Sequence, residues 1–469
     1  MTDDIAMMPA TDLVRLFRTR RLSPVEATKA ALARIEAGEP TFNAFQFVGA
    51  DEALAAARAS EARWARGDPL GLVDGVPTSI KDQWLVRGWP TRRGSTTSPA
   101  DGPWDDESPA ATRLREHGAV LLGKTNLPEY GWKGVTDSPL SGISRNPWDP
   151  SKTCGGSSGG AAIAAAVGMG ALHLGSDGAG SIRMPAGFSG VYGLKPTYGR
   201  VPAYPYGLLP MCSHTGPMTR TVGDAALMLN VMAEPDHRDW MAPPPDGRDY
   251  RVALENGVKG LRIAYSRTLG YARVDDEIAA GTDAAARVFA DLGAVVEDVD
   301  HVFDDPRFPF EMFYTASMAT TLRRLGPSAR VQMDPGYLRM ADAGLRFSAI
   351  DLIEGWAARD ALGRTMNAFH ETYDLLLTPQ LPLAAFEAGA EFPAGRGMTS
   401  WFDWSPFTYP FNWTGQPAAS VPCGFTPAGL PIALQIVGPR YGDALVLQAS
   451  RAYESRHPFA MPGLSKAGA

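Results

Sequence analysis

The sequence predicts an α/β protein, on the evidence of its apolar runs, its turns and its composition. From residue 70 onward, short apolar runs such as VPTSI, AVLLG, ALHLG and GLKPT alternate with glycine-rich turns, a pattern typical of successive strands and helices. Hydrophobic residues make up 45% and charged residues 20% of the 469 residues, as in packed globular proteins. At roughly 150 residues per domain, this length allows three domains or one large α/β unit.

The N-terminal region, about residues 1–66, is predicted to be helical. Residues 10–36 indicate two helices, and the second opens with a capping-box pattern from Ser23 to Glu26. An alanine-rich helix covers about 51–66 and ends at a Gly-Asp-Pro turn.

The remaining chain continues the strand and helix alternation. A core of about 70–230 is followed by a polar connection of about 231–258 that interrupts the pattern. A C-terminal part of about 259–456 begins with a new unit, in which the strand LRIAYS, a helix over about 275–292 and the strand AVVEDVD follow one another. Residues 305–370 are predicted to be mostly helical.

Charge and cysteine content exclude several classes of function. The net charge of −7 argues against nucleic acid or anionic membranes as the main partners. The three cysteines, Cys154, Cys212 and Cys423, cannot form a disulfide framework, and the N-terminus lacks a signal-peptide pattern, so we expect a cytoplasmic protein. No metal-binding motif is present, and the Gly/Ala/Ser-rich stretch 155–176 is too weakly apolar to span a membrane.

Two matches to common motifs are interpreted as coincidental. The run from Gly118 to Thr125 satisfies the phosphate-loop pattern, but its intervening Ala-Val-Leu-Leu predicts a buried strand rather than an open loop. The run from Gly155 to Gly159 satisfies the nucleophile-elbow pattern, but a loop precedes it and no histidine has a suitable context. His173 lies in an apolar run and is expected to be an interior histidine.

Residues 154–200 contain two glycine- and serine-rich clusters, GGSSGG and DGAGSIR. Successive backbone N–H groups in such turns can bind an anion, so a serine there could attack a carbonyl and have the oxyanion held. Lys81 follows an apolar run, where burial would lower its pKa. Two structural turns and a surface lysine are the alternative interpretation.

The sequence resembles the amidase signature enzymes over almost its whole length. The resemblance is carried by GVPTSIKD (75–82), LLGKTNLPEYGWKG (121–134), NPWDPSKTCGGSSGG (146–160), GSDGAGSIRMPAGFSGVYGLKPTYGRVP (175–202) and GPMTRTVGDAALML (216–229), with DLLLTPQLP (374–382) and NWTGQPAASVPCGFTPAGLPIALQIVG (412–438) following later. It implies one domain over 1–469, with a central mixed β-sheet covered by helices on both faces.

The resemblance also implies a Ser-cisSer-Lys triad. Ser181 corresponds to the nucleophile, Ser157 to the bridging serine after a cis peptide bond, and Lys81 to the base. The supporting residues are Ser158, Asp177 and Arg183, and the oxyanion hole is formed by the backbone of Gly178, Ala179, Gly180 and Ser181. The family commonly has glycine where this chain has Ala179, which would be strained there if its φ were positive.

The implied activity is hydrolysis of amide carbon–nitrogen bonds through a seryl acyl-enzyme. It needs neither a metal nor an organic cofactor, and esters and carbamates are expected as side substrates. The implied partner is a small-molecule amide, and a homodimer is compatible with the family. Two alternatives stay open: the amidase subunit of a glutamine-dependent tRNA amidotransferase, although residues 404–408 lack the acid common in that branch, and an inactive binding scaffold.

Seven aromatic residues crowd the segment 401–413, WFDWSPFTYPFNW. They can fold into the core, since aromatic residues dominate cores. In the family, however, this segment approaches the active site, so we expect Trp401, Phe402 and Trp404 to line the substrate pocket or its entrance. An apolar pocket would favour hydrophobic or aryl amides over amino-acid amides.

Overall fold

A single eleven-stranded sheet runs through the molecule, in the order β1-β3-β2-β6-β8-β7-β12-β13-β11-β9-β10. The computed structural model describes residues 2–206 and 209–462. Two further strands, β4 and β5, form a short antiparallel ribbon. In chain order the strands are β1 (Phe45–Val48), β2 (Pro77–Lys81), β3 (Val120–Thr125), β4 (Asp137–Ser138), β5 (Gly142–Ile143), β6 (Leu172–Asp177), β7 (Tyr192–Lys195), β8 (His214–Thr219), β9 (Arg262–Tyr265), β10 (Val295–Asp298), β11 (Leu375–Pro379), β12 (Ala418–Phe425) and β13 (Pro431–Val437).

Helices cover both faces of this sheet, as predicted. Along β3, Val120 and Leu122 pack into one hydrophobic cluster and Leu121 into another, because successive strand residues point to opposite faces. The helices are α1 (Thr2–Ala6), α2 (Ala10–Arg18), α3 (Pro24–Phe42), α4 (Ala50–Arg66), α5 (Pro109–Glu116), α6 (Gly159–Val167), α7 (Arg183–Ser189), α8 (Val222–Met232), α9 (Asp276–Asp291), α10 (Arg307–Leu325), α11 (Pro335–Gly344), α12 (Ala349–Phe369), α13 (Tyr409–Trp413) and α14 (Asp443–Arg456).

The sheet is mixed, and its parallel part brings two loops to one edge. Strands β3, β2 and β6 run parallel, whereas β6, β8, β7, β12, β13 and β11 pair antiparallel. Ile80 of β2 pairs with Leu174 of β6, so the C-terminal ends of both strands lie side by side. The segments that follow Lys81 and Ser176 therefore meet at this edge, where ligands bind in open α/β sheets.

Helices form at 10–18, 24–42 and 50–66, close to the predicted ones, but the last helix of 10–36 extends to Phe42 and β1 (Phe45–Val48) interrupts the region predicted to be helical. Ser23 Oγ accepts the N–H of Glu26 at 3.1 Å, and Glu26 Oε2 accepts the N–H of Ser23 at 2.8 Å, which completes the predicted capping box of α3. Helix α4 ends at Gly67, whose φ of +75° suits a residue without a Cβ.

The C-terminal elements also agree with the pattern of the sequence. The predicted unit appears as β9, α9 and β10, and the predicted helical stretch as α10, α11 and α12. Residues 233–253 contain no helix or strand, which fits the predicted polar connection. Within 2–206 and 209–462, no helix has the length and hydropathy to cross a membrane.

Candidate active site

Lys81 lies at the C-terminal end of β2 and is completely buried among hydroxyl groups. Its Nζ lies 2.7 Å from Ser157 Oγ, 2.9 Å from Ser158 Oγ and 2.9 Å from Ser176 Oγ. Among the described residues it forms no ion pair. The amine is thus held by neutral oxygen atoms on three sides.

This environment makes Lys81 suitable as a base. Burial lowers the pKa of Lys81 well below its usual range, because the charged ammonium loses its hydration, and the negative charge of Asp177 reverses only part of that effect. A neutral amine has a lone pair that can accept a proton from a hydroxyl. An amine in this state, next to serine hydroxyls, is able to act as a general base.

Ser157 reaches Lys81 from the loop that precedes α6. The Gly156–Ser157 peptide bond is cis, as the resemblance implies. The next residue, Ser158, is the N-cap of α6, and its backbone N–H donates to the carbonyl of Ser181 at 3.0 Å. This bond ties the segment that carries Ser157 to the loop that carries Ser181.

Ser181 lies on the loop between β6 and α7, and 8% of its surface is exposed. Its side chain lines the same cavity as Ser157 and Ser176. No direct hydrogen bond joins the hydroxyls of Ser157 and Ser181 in the described structure. Such contacts are often longer before substrate binds, so this geometry is compatible with a nucleophile and its neighbouring proton carrier.

The loop before Ser181 contains the backbone N–H groups predicted to form the oxyanion hole. The N–H of Gly180 donates to Asp177 Oδ1 at 2.7 Å, so this member of the predicted oxyanion hole is already occupied. Gly178 and Ala179 line the cavity with Ser181. Among the described residues, the N–H groups of these three have no acceptor. They are the donors left to bind an anion.

The glycine in this loop that the backbone requires is Gly180. Its φ is +126°, and a Cβ there would lie 2.6 Å from Thr408. Ala179 is not among the described residues with positive φ, so its methyl group carries no such strain. Thr408 Oγ1 also donates to the carbonyl of Ala179 at 2.6 Å, which fixes the loop from its other side.

A buried ion pair between Arg183 and Asp177 stabilises the loop 178–181. Arg183 Nε lies 3.0 Å from Asp177 Oδ2, and both side chains are fully buried. Asn412 Nδ2 donates to Asp177 Oδ1 at 2.8 Å, and its Oδ1 accepts from Arg183 Nη2 at 2.6 Å. Burial alone would raise the pKa of Asp177, but the charge and hydrogen bonds of Arg183 lower it below its usual range. Asp177 is therefore a carboxylate, able to hold the N–H groups of the loop.

The cavity at Ser181 is walled mainly by apolar and small residues. Of the described residues it is lined by Gln83, Trp84, Tyr130, Gly131, Ser157, Ser176, Gly178, Ala179, Ser181, Leu209, Ser213, Tyr314 and Met318. The three aromatic residues predicted for this wall, Trp401, Phe402 and Trp404, are not among them. Their place at the substrate pocket or its entrance stays a prediction.

The aromatic segment folds inward because its rings find aromatic partners in the core. Trp401 and Phe402 stack on each other with ring centres 3.9 Å apart, and they pack against Tyr314 at 5.5 Å and 5.4 Å respectively. Trp404 is fully buried and packs on Phe188 at 5.7 Å. Trp401 and Phe402 therefore act behind the wall, through Tyr314, rather than on it.

Two kinds of site residue were not identified from the sequence. Ser176, the third hydroxyl on Lys81, lies at the end of β6 one residue before Asp177, and its position beside the DGAGSIR cluster was the available signal. Tyr314 and Met318 come from α10 and lie one helical turn apart on the face that closes the cavity. Their spacing resembles that of any core helix, so no local signal distinguishes them.

The coincidental motifs have structural roles. Residues 120–125 form β3, and Lys124 Nζ lies 2.9 Å from Asp82 Oδ1 instead of facing a phosphate. His173 is buried, its Nδ1 lies 2.8 Å from Ser79 Oγ, and burial lowers its pKa to about 3. In the described parts of the chain, no group of three or more His, Cys, Asp or Glu residues is placed to hold a metal ion.

The chain is similar to known proteins over most of its length. The family model described as Amidase matches residues 26–447. An acylamidase from Rhodococcus erythropolis is 35% identical, over 97% of this chain and 96% of that protein. A glutamyl-tRNA(Gln) amidotransferase subunit of Myxococcus xanthus (strain DK1622) is 37% identical, over 96% of this chain and 99% of that protein. The crystal structure of a bacterial aryl acylamidase belonging to the amidase signature enzymes is 32% identical, with a TM-score of 0.91 over 98% of this chain and 99% of that one.

Proposed function

The chain belongs to the amidase family and is a hydrolase of amide carbon–nitrogen bonds, and we propose that it works through a seryl acyl-enzyme on Ser181. The observation that carries this mechanism is the contact of 2.7 Å between the buried amine of Lys81 and the hydroxyl of Ser157, beside Ser181 in one cavity. Lys81 is the base, Ser157 the proton carrier and Ser181 the nucleophile.

The proton relay runs in both directions. Neutral Lys81 takes a proton from Ser157, which takes one from Ser181 as its Oγ attacks the amide carbonyl. The resulting oxyanion is held by the free N–H groups of Gly178, Ala179 and Ser181. The proton then returns through Ser157 to the leaving nitrogen, the carbon–nitrogen bond breaks, and water hydrolyses the acyl-enzyme by the same route.

The cavity favours hydrophobic or aryl amides. Trp84, Leu209, Tyr314 and Met318 contribute apolar surface, and none of the described lining residues carries a charged side chain. A charged amino-acid amide would lose its hydration there without gaining an ion pair. The names of the acylamidase and aryl acylamidase relatives agree with such substrates. Esters and carbamates offer the same carbonyl and are proposed as side substrates.

A second candidate is the glutamine-dependent amidase subunit of a tRNA amidotransferase, because one relative with an amidotransferase name is 37% identical. Glutamine would need a charged partner for its amino group. At 404–408 the chain has Trp-Ser-Pro-Phe-Thr, without an acid, so this candidate is the weaker one. An inactive scaffold is disfavoured, since Lys81, Ser157 and Ser181 are all present.

Two measurements test the proposal. A fluorophosphonate should label Ser181, and Ser181→Ala should abolish both the label and hydrolysis. A substrate panel should place anilides well ahead of glutamine and malonamide, with aryl carbamates slower. Absence of the adduct in the native protein contradicts the enzyme mechanism, whereas glutamine as the best substrate favours the second candidate. A cytoplasmic location and a homodimer stay predictions from the sequence and family.

A further inference from the structure

The cavity at Ser181 contains a side-chain amide that the catalytic relay does not use. Gln83 lies two residues after Lys81, is half-buried and lines the cavity. Among the described residues, its carboxamide has no hydrogen-bond partner. An amide group in a partly desolvated cavity gains little unless a ligand completes its hydrogen bonds, so its presence here indicates a role toward substrate.

The position of Gln83 associates it with the proton carrier. A Cβ built on Gly131 would lie 3.1 Å from Ser157 Oγ and 3.6 Å from Gln83 Oε1. Both oxygen atoms therefore face the same glycine. Ser213, another polar lining residue, lies beside the oxyanion loop, where a Cβ on Gly178 would be 3.7 Å from its Oγ. Gln83 is thus on the Ser157 side and Ser213 on the side of the oxyanion loop.

The Ser157 side is where the leaving group of the substrate must lie. In the proposed mechanism Ser157 delivers the proton to the leaving nitrogen, so that nitrogen has to come within hydrogen-bond distance of Ser157 Oγ. The nitrogen of a secondary amide has one hydrogen of its own, besides the proton that Ser157 delivers. This N–H needs an acceptor once water is displaced. The tyrosine hydroxyls of the cavity are already engaged, since Tyr130 Oη pairs with Thr97 Oγ1 and Tyr314 Oη donates to the carbonyl of Trp132.

We infer that Gln83 Oε1 accepts a hydrogen bond from the N–H of the leaving amide nitrogen, which makes Gln83 a specificity-determining residue for amides over esters. This inference rests on the proposed function. An ester oxygen has no hydrogen to donate, and an N-methylated amide nitrogen has lost it. Gln83 therefore distinguishes substrates by the leaving atom, whereas the apolar wall distinguishes them by size and hydrophobicity.

The test compares three substrates with the same acyl and aryl groups: an anilide, its N-methyl anilide and the aryl ester. In Gln83→Leu, kcat/KM for the anilide should fall about tenfold more than for the ester or the N-methyl anilide, because only the anilide loses a hydrogen bond. Gln83→Glu keeps the acceptor and should retain most of the anilide preference. Gln83→Met, which has a similar length, makes the same comparison if Gln83→Leu folds poorly.

Ser213→Ala is the matched control, from the polar lining residue beside the oxyanion loop. It should change the three rates by similar factors and leave their ratio as in the native protein. Equal losses on all three substrates in Gln83→Leu, with the native protein active, would overturn this inference and leave the proposed function standing. Failure of the native protein to hydrolyse any of the three, together with no fluorophosphonate adduct on Ser181, would overturn both.

Discussion

Two lysines on neighbouring parallel strands are both completely buried but have different partners. Lys81 ends β2 and Lys124 lies in β3, where it pairs in register with Ile80. Lys124 Nζ lies 2.9 Å from Asp82 Oδ1, with Thr91 Oγ1 also at 2.9 Å. Lys81 contacts three serine hydroxyls and no carboxylate among the described residues. Although Asp82 follows Lys81 directly in sequence, its carboxylate binds the neighbouring lysine.

The partner decides what a buried lysine can do. Burial lowers the pKa of both amines, but for Lys124 the charge and hydrogen bond of Asp82 oppose the effect, whereas Lys81 has only the charge of Asp177 and its pKa falls well below the usual range. A carboxylate partner favours the ammonium form of a buried lysine, and each charge of the pair depends on the other for compensation. A lysine among hydroxyls can be neutral and take up a proton.

The largest expected effects follow from removing each amine, on catalysis for Lys81 and on stability for Lys124. Lys81→Met should lower kcat/KM by about 10³- to 10⁴-fold, the range typical of a lost general base, in a protein that still folds. Lys124→Met should instead lower the free energy of unfolding by about 3–5 kcal/mol, because it leaves Asp82 as an uncompensated buried charge. Steady-state kinetics and denaturant unfolding of both variants measure these two quantities.

Lys124→Met/Asp82→Asn is the control, since removing both charges should restore part of the lost stability. The roles assigned to the two amines would be reversed if Lys81→Met unfolded the protein and Lys124→Met gave a folded protein without hydrolytic activity.

The pH dependence of catalysis should follow Lys81 alone. Only the neutral amine accepts a proton, so kcat/KM should be level above the pKa of Lys81 and fall about tenfold per pH unit below it. The charge and hydrogen bond of Asp82 favour the ammonium form of Lys124, which contacts none of the three serine hydroxyls and should add no inflection. Measurements of kcat/KM from pH 5 to pH 9 on a neutral anilide check this, and a rate that rises toward low pH would exclude Lys81 as the base.

A carboxylate introduced next to Lys81 should favour its ammonium form, as Asp82 does for Lys124. Ser158 is fully buried, and its Oγ lies 2.9 Å from Lys81 Nζ. Ser158→Asp should raise the pKa of Lys81 and move the acid limb of kcat/KM to higher pH, so that activity lost on the acid side recovers as the pH rises. Ser158→Asn is similar in size without the charge and should leave the limb in place. Equal shifts in both variants would show that charge is not the cause.

The difference between the two lysines was partly predictable from sequence. The run from Gly118 to Thr125 predicts a buried strand, which places Lys124 in the sheet. The serine-rich cluster near Ser157 resembles a known site, which predicts a partner for Lys81. The third hydroxyl, on Ser176, was not predicted, because the direction of a side chain at a strand end depends on the register with the next strand. The roles in catalysis stay proposals.

The residues that wall the cavity were less predictable from the sequence than Lys81, Ser157 and Ser181. Trp401 is an aromatic residue near family motifs, a pattern that suits a pocket and a core equally well. Its orientation is decided by Tyr314 and Phe402, which its ring contacts, and Tyr314 lies almost ninety residues earlier in the chain. Packing between distant segments carries no local signature. Backbone requirements such as the positive φ of Gly180 can be inferred locally, because few residue types satisfy them.

The smallest loss of activity is expected on replacing a third buried lysine, Lys195. It tests whether a lowered pKa is sufficient to make a lysine the catalytic base. Burial lowers the pKa of Lys195 well below its usual range, and its Nζ donates to the carbonyls of Pro196 and Gln416. Carbonyl oxygens have no proton to give, so a neutral Lys195 has no hydroxyl to activate. Lys195→Met should therefore change kcat/KM less than about threefold and the free energy of unfolding by about 1 kcal/mol, the typical net contribution of a hydrogen bond. Kinetics and denaturant unfolding beside Lys81→Met make the comparison. A loss of activity as large as that of Lys81→Met would mean that burial of the amine, rather than its contact with Ser157, identifies the base.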